Sequence, residues 1–186
     1  MHFKEIETKY SADKIKMEAF EALVEPMKPT KKMMVSSYDD YFINKDGDFV
    51  RYRYTDDRGE LTIKKKTTDK NNNERIEINV PTTGDNLPTV GAFLDYLGYK
   101  HNFGIYKTCK IYWLDNMVVV YYVVYDKDLK EQRRFIEIEA DESHCWESEA
   151  QAWDQVVKWE KLLEPLGISP QNRLKKSLFE MFRREG

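Results

Sequence analysis

The sequence predicts an α+β fold, an eight-stranded antiparallel β-barrel with helices packed outside it. Three observations carry this. Eight strand-length segments follow one another, most of them joined by polar turn sequences that favour antiparallel hairpins. Several of these segments place charged residues two apart with apolar residues between them, which gives the strand one charged and one packing face. Helical periodicity is confined to a few places, enough to cover the packing faces from outside. Eight strands can close on themselves and remove their exposed edges, and closure creates an interior.

The first strand is Glu5-Ile6-Glu7-Thr8-Lys9, where Glu5, Glu7 and Lys9 share one face and Ile6 and Thr8 the other. Ser11 is the expected cap of a helix whose apolar band is Ile15, Ala19, Phe20, Leu23 and Val24, ended by Pro26 and Pro29. Strands are expected over Ser37–Asn44, Phe49–Tyr54, Leu61–Lys66 and Arg75–Val80, a meander with turns at 45–48, 56–59 and 69–73. Pro88 opens a second helix that presents Val90, Phe93, Leu94 and Leu97 and closes at Gly98. Strands at Ile105–Trp113, Met117–Tyr125 and Phe135–Ala140 complete the set. The carboxyl end is helical over about Glu147–Leu166, and Ser169-Pro170 starts a last helix carrying Leu174, Leu178, Met181 and Phe182.

Composition narrows the function classes. At 186 residues the chain suits a single domain over residues 1–186. A formal net charge of −3 gives no global attraction to a nucleic acid duplex or a membrane, yet 34% of residues are charged, so the pattern of charge matters more than its sum. The cysteines, Cys109 and Cys145, have no metal-ligand spacing and read as reduced thiols. With no apolar run at the amino end and none of spanning length later, the expected setting is the cytoplasm. His2, His101 and His144 are scattered, and the exposed helix faces are compatible with a monomer or a homodimer.

The charged faces then acquire a chemical meaning. Arg51 and Arg53 lie two apart, as do Lys64 and Lys66, Arg75 and Glu77, and Glu137 and Glu139. The intervening Tyr52, Ile76 and Ile138 are apolar or aromatic and belong under the helices, so the charges point inward. A lone Glu-x-Glu is usually a solvated strand face and a lysine run usually an edge guard. Recurrence on several strands is what argues for an interior of opposed charges. Clustered cations fit a polyanion such as a phosphate chain, and arginine suits bidentate phosphate contact. Clustered carboxylates fit hard cations such as Mg²⁺ or Mn²⁺.

In this order and spacing the sequence resembles the CYTH superfamily, the triphosphate tunnel metalloenzymes, over nearly the whole chain. Glu5-Ile6-Glu7-Thr8-Lys9 is similar to its ExExK signature, and Arg51-Tyr52-Arg53, Leu61-Thr62-Ile63-Lys64, Glu74-Arg75-Ile76-Glu77 and Phe135-Ile136-Glu137-Ile138-Glu139 are similar to later strands. The resemblance implies a tunnel that takes a small-molecule triphosphate together with Mg²⁺ or Mn²⁺. It implies Glu5, Glu7, Glu137 and Glu139 as metal ligands. Lys9, Arg51, Arg53, Lys64, Lys66, Arg75 and Lys107 become phosphate ligands, and Glu5, Glu7 and Lys9 the catalytic group. Glu77 and Asp126 are further candidates. Two departures stand out: where the family reads Lys-x-Arg the chain has Lys107-Thr108-Cys109, and the seventh strand lacks the family's aspartate, with Asp126 the nearest. A metal-dependent triphosphate hydrolase is the leading expectation. A class IV type adenylyl cyclase and a non-catalytic nucleotide or polyphosphate binder are the alternatives.

Overall fold

The computed structural model describes residues 4–66, 74–83, 86–141 and 143–184, with the side chains of residues 4, 5, 64–66 and 74–77 outside the description. Eight strands are present: β1 (Lys4–Ser11), β2 (Lys31–Ile43), β3 (Phe49–Tyr54), β4 (Arg58–Lys66), β5 (Glu74–Thr83), β6 (Lys100–Leu114), β7 (Met117–Tyr125) and β8 (Glu131–Ala140). All pairs are antiparallel and run in the ring β1-β5-β4-β3-β2-β6-β7-β8. β1 closes it by dividing its length: Lys4–Ile6 pair with β5, and Glu7–Ser11 pair with β8.

β2 and β6 are longer than the alternation predicts, starting at Lys31 and Lys100 rather than at 37 and 105. The added residues Lys31–Ser36 pair with Trp113–Thr108 of β6 and extend past the end of β3. Their composition is mixed, but the long partner satisfies the backbone groups that strand residues must pair.

Helices α1 (Met17–Val24), α2 (Leu87–Tyr96) and α3 (Glu149–Leu162) lie outside. Under α1 and α3 the outward faces of β1, β6, β7 and β8 bury Ile6, Tyr112, Tyr121 and Ile138 with Phe20, Val156 and Trp159, and under α2 the outward Phe42, Val50 and Tyr52 pack on Val90 and Leu94. Tyr52 and Ile138, which the pattern placed beneath helices, are fully buried. Ser11 does not cap α1. It pairs with Phe135 in the sheet, and the helix starts after Lys16 with no side-chain cap.

The carboxyl end departs most from the sequence reading. Ser169-Pro170 opens only a 3₁₀ turn, and Arg173 forms a bridge to Tyr10 while the Leu174 amide donates to the Lys9 carbonyl at 2.7 Å. Arg173 is fixed in turn by Glu160, 1% exposed, which accepts from its Nε at 2.5 Å and Nη2 at 2.6 Å and also from the Tyr10 hydroxyl. Helix α4 (Leu178–Phe182) begins later, at a capping box in which Ser177 and Glu180 satisfy each other's backbone amides. It closes one end of the barrel, where Phe179 stacks on Phe49 at 4.3 Å and approaches Tyr41 and Phe103.

Candidate active site

The barrel interior holds a cavity of about 390 Å³. Alternation along each strand delivers Glu7 and Lys9 from β1, Arg51 and Arg53 from β3, Lys107 from β6, and Glu137 and Glu139 from β8 to its wall. These seven predicted residues are brought together. Glu5, Lys64, Lys66, Arg75 and Glu77 sit in β1, β4 and β5, where Glu5 pairs with Arg75, Lys64 with Glu77 and Lys66 with Arg75. Their side chains lie outside the described residues.

Asp126 is the exception and a correction. It lies in the turn after β7, where its carboxylate accepts from the amides of Asp128 and Lys130 at 2.9 and 3.0 Å and from Gln132 Nε2 at 2.9 Å. A carboxylate saturated by its own turn organises that turn, and it does not line the cavity.

The basic floor is built on a residue the sequence reading passed over. Asp39 of β2 is fully buried, and Arg53 grips it with Nε to Oδ1 at 2.8 Å and Nη2 to Oδ2 at 2.9 Å. Lys107 Nζ stands 3.2 Å from Oδ2, and Ser37 Oγ donates to Oδ1 at 3.4 Å. Burial opposes ionisation of Asp39, but Arg53 and then Lys107 outweigh it and hold the carboxyl far below the ordinary range. The same partner holds Arg53 charged against the desolvation it suffers. Burial and the nearby Arg53 lower Lys107, with Asp39 offsetting them. Two cations are thus fixed in place by one anion beneath them. Arg51 donates to Thr62 Oγ1 at 2.8 Å and lies 3.4 Å from Glu60 Oε1.

The acidic wall lies across β1 and β8, where Glu7 is opposite Glu139 and Lys9 opposite Glu137. Lys9 Nζ is 2.9 Å from Glu137 Oε1 and 3.8 Å from Glu7 Oε1. Tyr122 donates its hydroxyl to Glu137 at 2.9 Å. Burial would raise the Glu137 carboxyl, yet Lys9 and Lys107, helped by that hydroxyl, bring it down to about 2. Burial and Glu137 push the Tyr122 phenol well up.

The donor chemistry fits a hard divalent cation, which takes oxygen ligands. Glu7, Glu137, Glu139 and Asp141 present carboxylates to the same cavity. Among the described residues, however, no three His, Cys, Asp or Glu side chains converge as a finished coordination sphere. Glu137 instead engages Lys9 and Tyr122.

The third wall is apolar. Cys109, at the position where a second cation was expected, faces the cavity with Ile111 and Trp113 of β6 and Val118, Val120 and Tyr122 of β7. Burial raises the Cys109 thiol despite Lys107 and Arg53, so it stays protonated at neutral pH. Lys110 points out of the barrel, as alternation requires, and pairs with Glu21 of α1.

Asp39 was legible in principle. Counting back from the turn at 44–48 puts it opposite Arg53, but Asp39-Asp40 places one aspartate on each face and alternation alone does not choose between them. Asp40 is the outward one, 2.6 Å from His101 Nε2.

Structures of similar fold include a conserved hypothetical protein of Pyrococcus furiosus, with a TM-score of 0.73 and 21% identity over 96% of this chain and 99% of that one. The PH1819 protein of Pyrococcus horikoshii has a TM-score of 0.68 and 24% identity over 95% and 97% of the two chains. A protein of Vibrio parahaemolyticus provisionally named an adenylate cyclase has a TM-score of 0.66 and 13% identity over 97% and 98%. No curated protein matches the chain by sequence. At these identities the likeness is one of fold. The CYTH domain profile, in contrast, matches residues 4–177, and the chain belongs to the CYTH domain family.

Proposed function

We propose that the protein is a metal-dependent hydrolase of a triphosphate-containing substrate. The observation that carries this is the facing of two walls in one cavity: cations at Arg51, Arg53 and Lys107 in one, and carboxylates at Glu7, Glu137 and Glu139, with Lys9 paired among them, in the other. Arg53 and Lys107 are positioned before any ligand arrives, so little ordering opposes phosphate binding there. Arg51 lies two residues along the same strand face, about 7 Å away at the usual rise, so the two guanidinium groups can grip different phosphates of one chain.

Glu5, Glu7, Glu137 and Glu139 are the residues to hold Mg²⁺ or Mn²⁺. When bound, such an ion supplies charge neutralisation at the phosphate oxygens and an acidified water. The chain's own residues do the rest. Lys9 and Lys107 offset charge that accumulates on the departing phosphate, and the closed end at Phe49 and Phe179 keeps water from that side. Membership of the family supports an enzyme acting on small triphosphates.

The test is incubation with Mg²⁺ or Mn²⁺ and a panel of triphosphates, with the products identified. Release of phosphate or pyrophosphate with linear or monoester products supports the hydrolase. Cyclic AMP with pyrophosphate would mean a cyclase, and binding without product would mean a carrier.

A further inference from the structure

The apolar wall is a ladder. Cross-strand registry on β6 and β7 pairs Cys109 with Tyr122, Ile111 with Val120 and Trp113 with Val118, and all six side chains line the cavity. Three successive inward rungs span four residues of strand, about 13 Å at the usual rise. Registry continues from β7 to β8, so Val120 adjoins Glu137 and Val118 adjoins Glu139. An apolar surface therefore runs beside the acidic wall. Ile111, Trp113 and Val118 are only partly buried, so this surface is not fully consumed by packing against the core.

An inorganic phosphate chain gains nothing from such a wall, which leaves its charged oxygens desolvated against hydrocarbon. The polar edge of a nucleobase fares little better. Ile111, Val118 and Val120 offer no hydrogen-bonding atom, the Tyr122 hydroxyl is committed to Glu137, and Trp113 brings a single donor, its indole N–H, with one ring face covered by Lys31 Nζ at 4.5 Å from the ring centre. A site that must pair a base's donors and acceptors needs partners that this wall lacks.

Resting on the triphosphate reading above, we infer that the substrate is an organic phosphate anhydride whose non-phosphate end is a hydrocarbon group. That group would lie along the β6–β7 ladder while its phosphates meet Arg51, Arg53 and Lys107. The ladder is then the specificity-determining surface, and Cys109 belongs to it because a half-buried thiol packed with apolar neighbours behaves as a small apolar group.

The experiment is a calorimetric titration of the protein, with Mn²⁺ present, against three ligands that share one triphosphate: octyl triphosphate, ATP and inorganic tripolyphosphate. Octyl triphosphate is expected to bind at least about ten-fold tighter than either of the others. Val118→Thr and Ile111→Thr should each weaken octyl triphosphate by about ten-fold and leave tripolyphosphate unchanged, with thermal unfolding reporting whether each variant is folded. The ranking of ligands on the wild-type protein stands even if a variant does not fold. Equal affinity for octyl triphosphate and tripolyphosphate would overturn the inference while leaving the triphosphate reading intact. Tightest binding of ATP would overturn it in favour of a base-reading wall. Failure of all three to bind would overturn both.

Discussion

Replacing Asp39 by Asn should destabilise the protein by roughly 3 kcal/mol at neutral pH. The side chain is fully buried and accepts two hydrogen bonds from Arg53 and the charge of Lys107, whose own side chain is 7% exposed. Removing one partner of a buried pair strands the other, at a cost of about 3–5 kcal/mol. Protein atoms surround Arg53 closely, but its side chain is 33% exposed toward the cavity. Solvent there relieves part of the cost, so the lower end of that range applies. For a chain of this length about 3 kcal/mol corresponds to a fall of roughly 6–12 °C in melting temperature. Urea denaturation gives the free energy directly. The pH dependence gives an independent reading. The folded Asp39 carboxyl is depressed below its ordinary value, so its contribution is fully present above the unfolded value of about 4 and is lost as pH falls through the acid range below it. The wild type should therefore lose stability on acidification more steeply than Asp39→Asn does. A loss under about 1 kcal/mol at pH 7, or parallel acid limbs, would refute the claim that one buried anion holds the two cations in place.

Three further outcomes follow from other parts of the structure. Glu160→Gln should weaken the anchor of Arg173 and Tyr10, and exchange of the Leu174 amide, now bonded to the Lys9 carbonyl, should accelerate at least about ten-fold; an unchanged rate would show that the carboxyl segment is held by other contacts. Gly104→Ala should cost about 1 kcal/mol in urea denaturation, because the added Cβ would lie 2.7 Å from Asp40 Oδ1 and turn that carboxylate away from His101. At pH 8 a disulfide reagent should titrate the exposed Cys145 promptly and the half-buried Cys109 at least about ten-fold more slowly, since its surroundings raise the Cys109 thiol; two thiols reacting together would contradict the placement of Cys109 in the barrel wall.

Most of the site was legible because alternation on a strand is rigid. Once Tyr52 and Ile138 are read as outward, Arg51, Arg53, Glu137 and Glu139 have only one direction left. Lys107, and the thiol that stands at Cys109 in place of a cation, were legible only through the family resemblance, and both line the cavity. What escaped was set by pairing between strands. Asp39 acquires its role from standing opposite Arg53 and beside Lys107, and nothing in its own neighbourhood separates it from Asp40. Residues 31–36 are strand because β6 reaches them, not because they alternate. The start of α4 was written in the sequence as Ser177-Leu178-Phe179-Glu180, a capping box. The proline at 170 competes with it as a start signal and opens only a turn, because Arg173 and Leu174 are drawn into extended contact with β1.

The central claim, that buried cations in a family tunnel hold a triphosphate for hydrolysis, is tested most directly by the rate of phosphate release from a triphosphate in Mn²⁺ by the wild type and by Lys107→Met. Methionine keeps the apolar stem and leaves Asp39 paired with Arg53, so the fold should persist while the phosphate contact is lost. Metal-dependent release by the wild type and a loss of about 100-fold or more in kcat/KM for the variant are expected. Equal rates for the two proteins, or release that is indifferent to the metal, would contradict it.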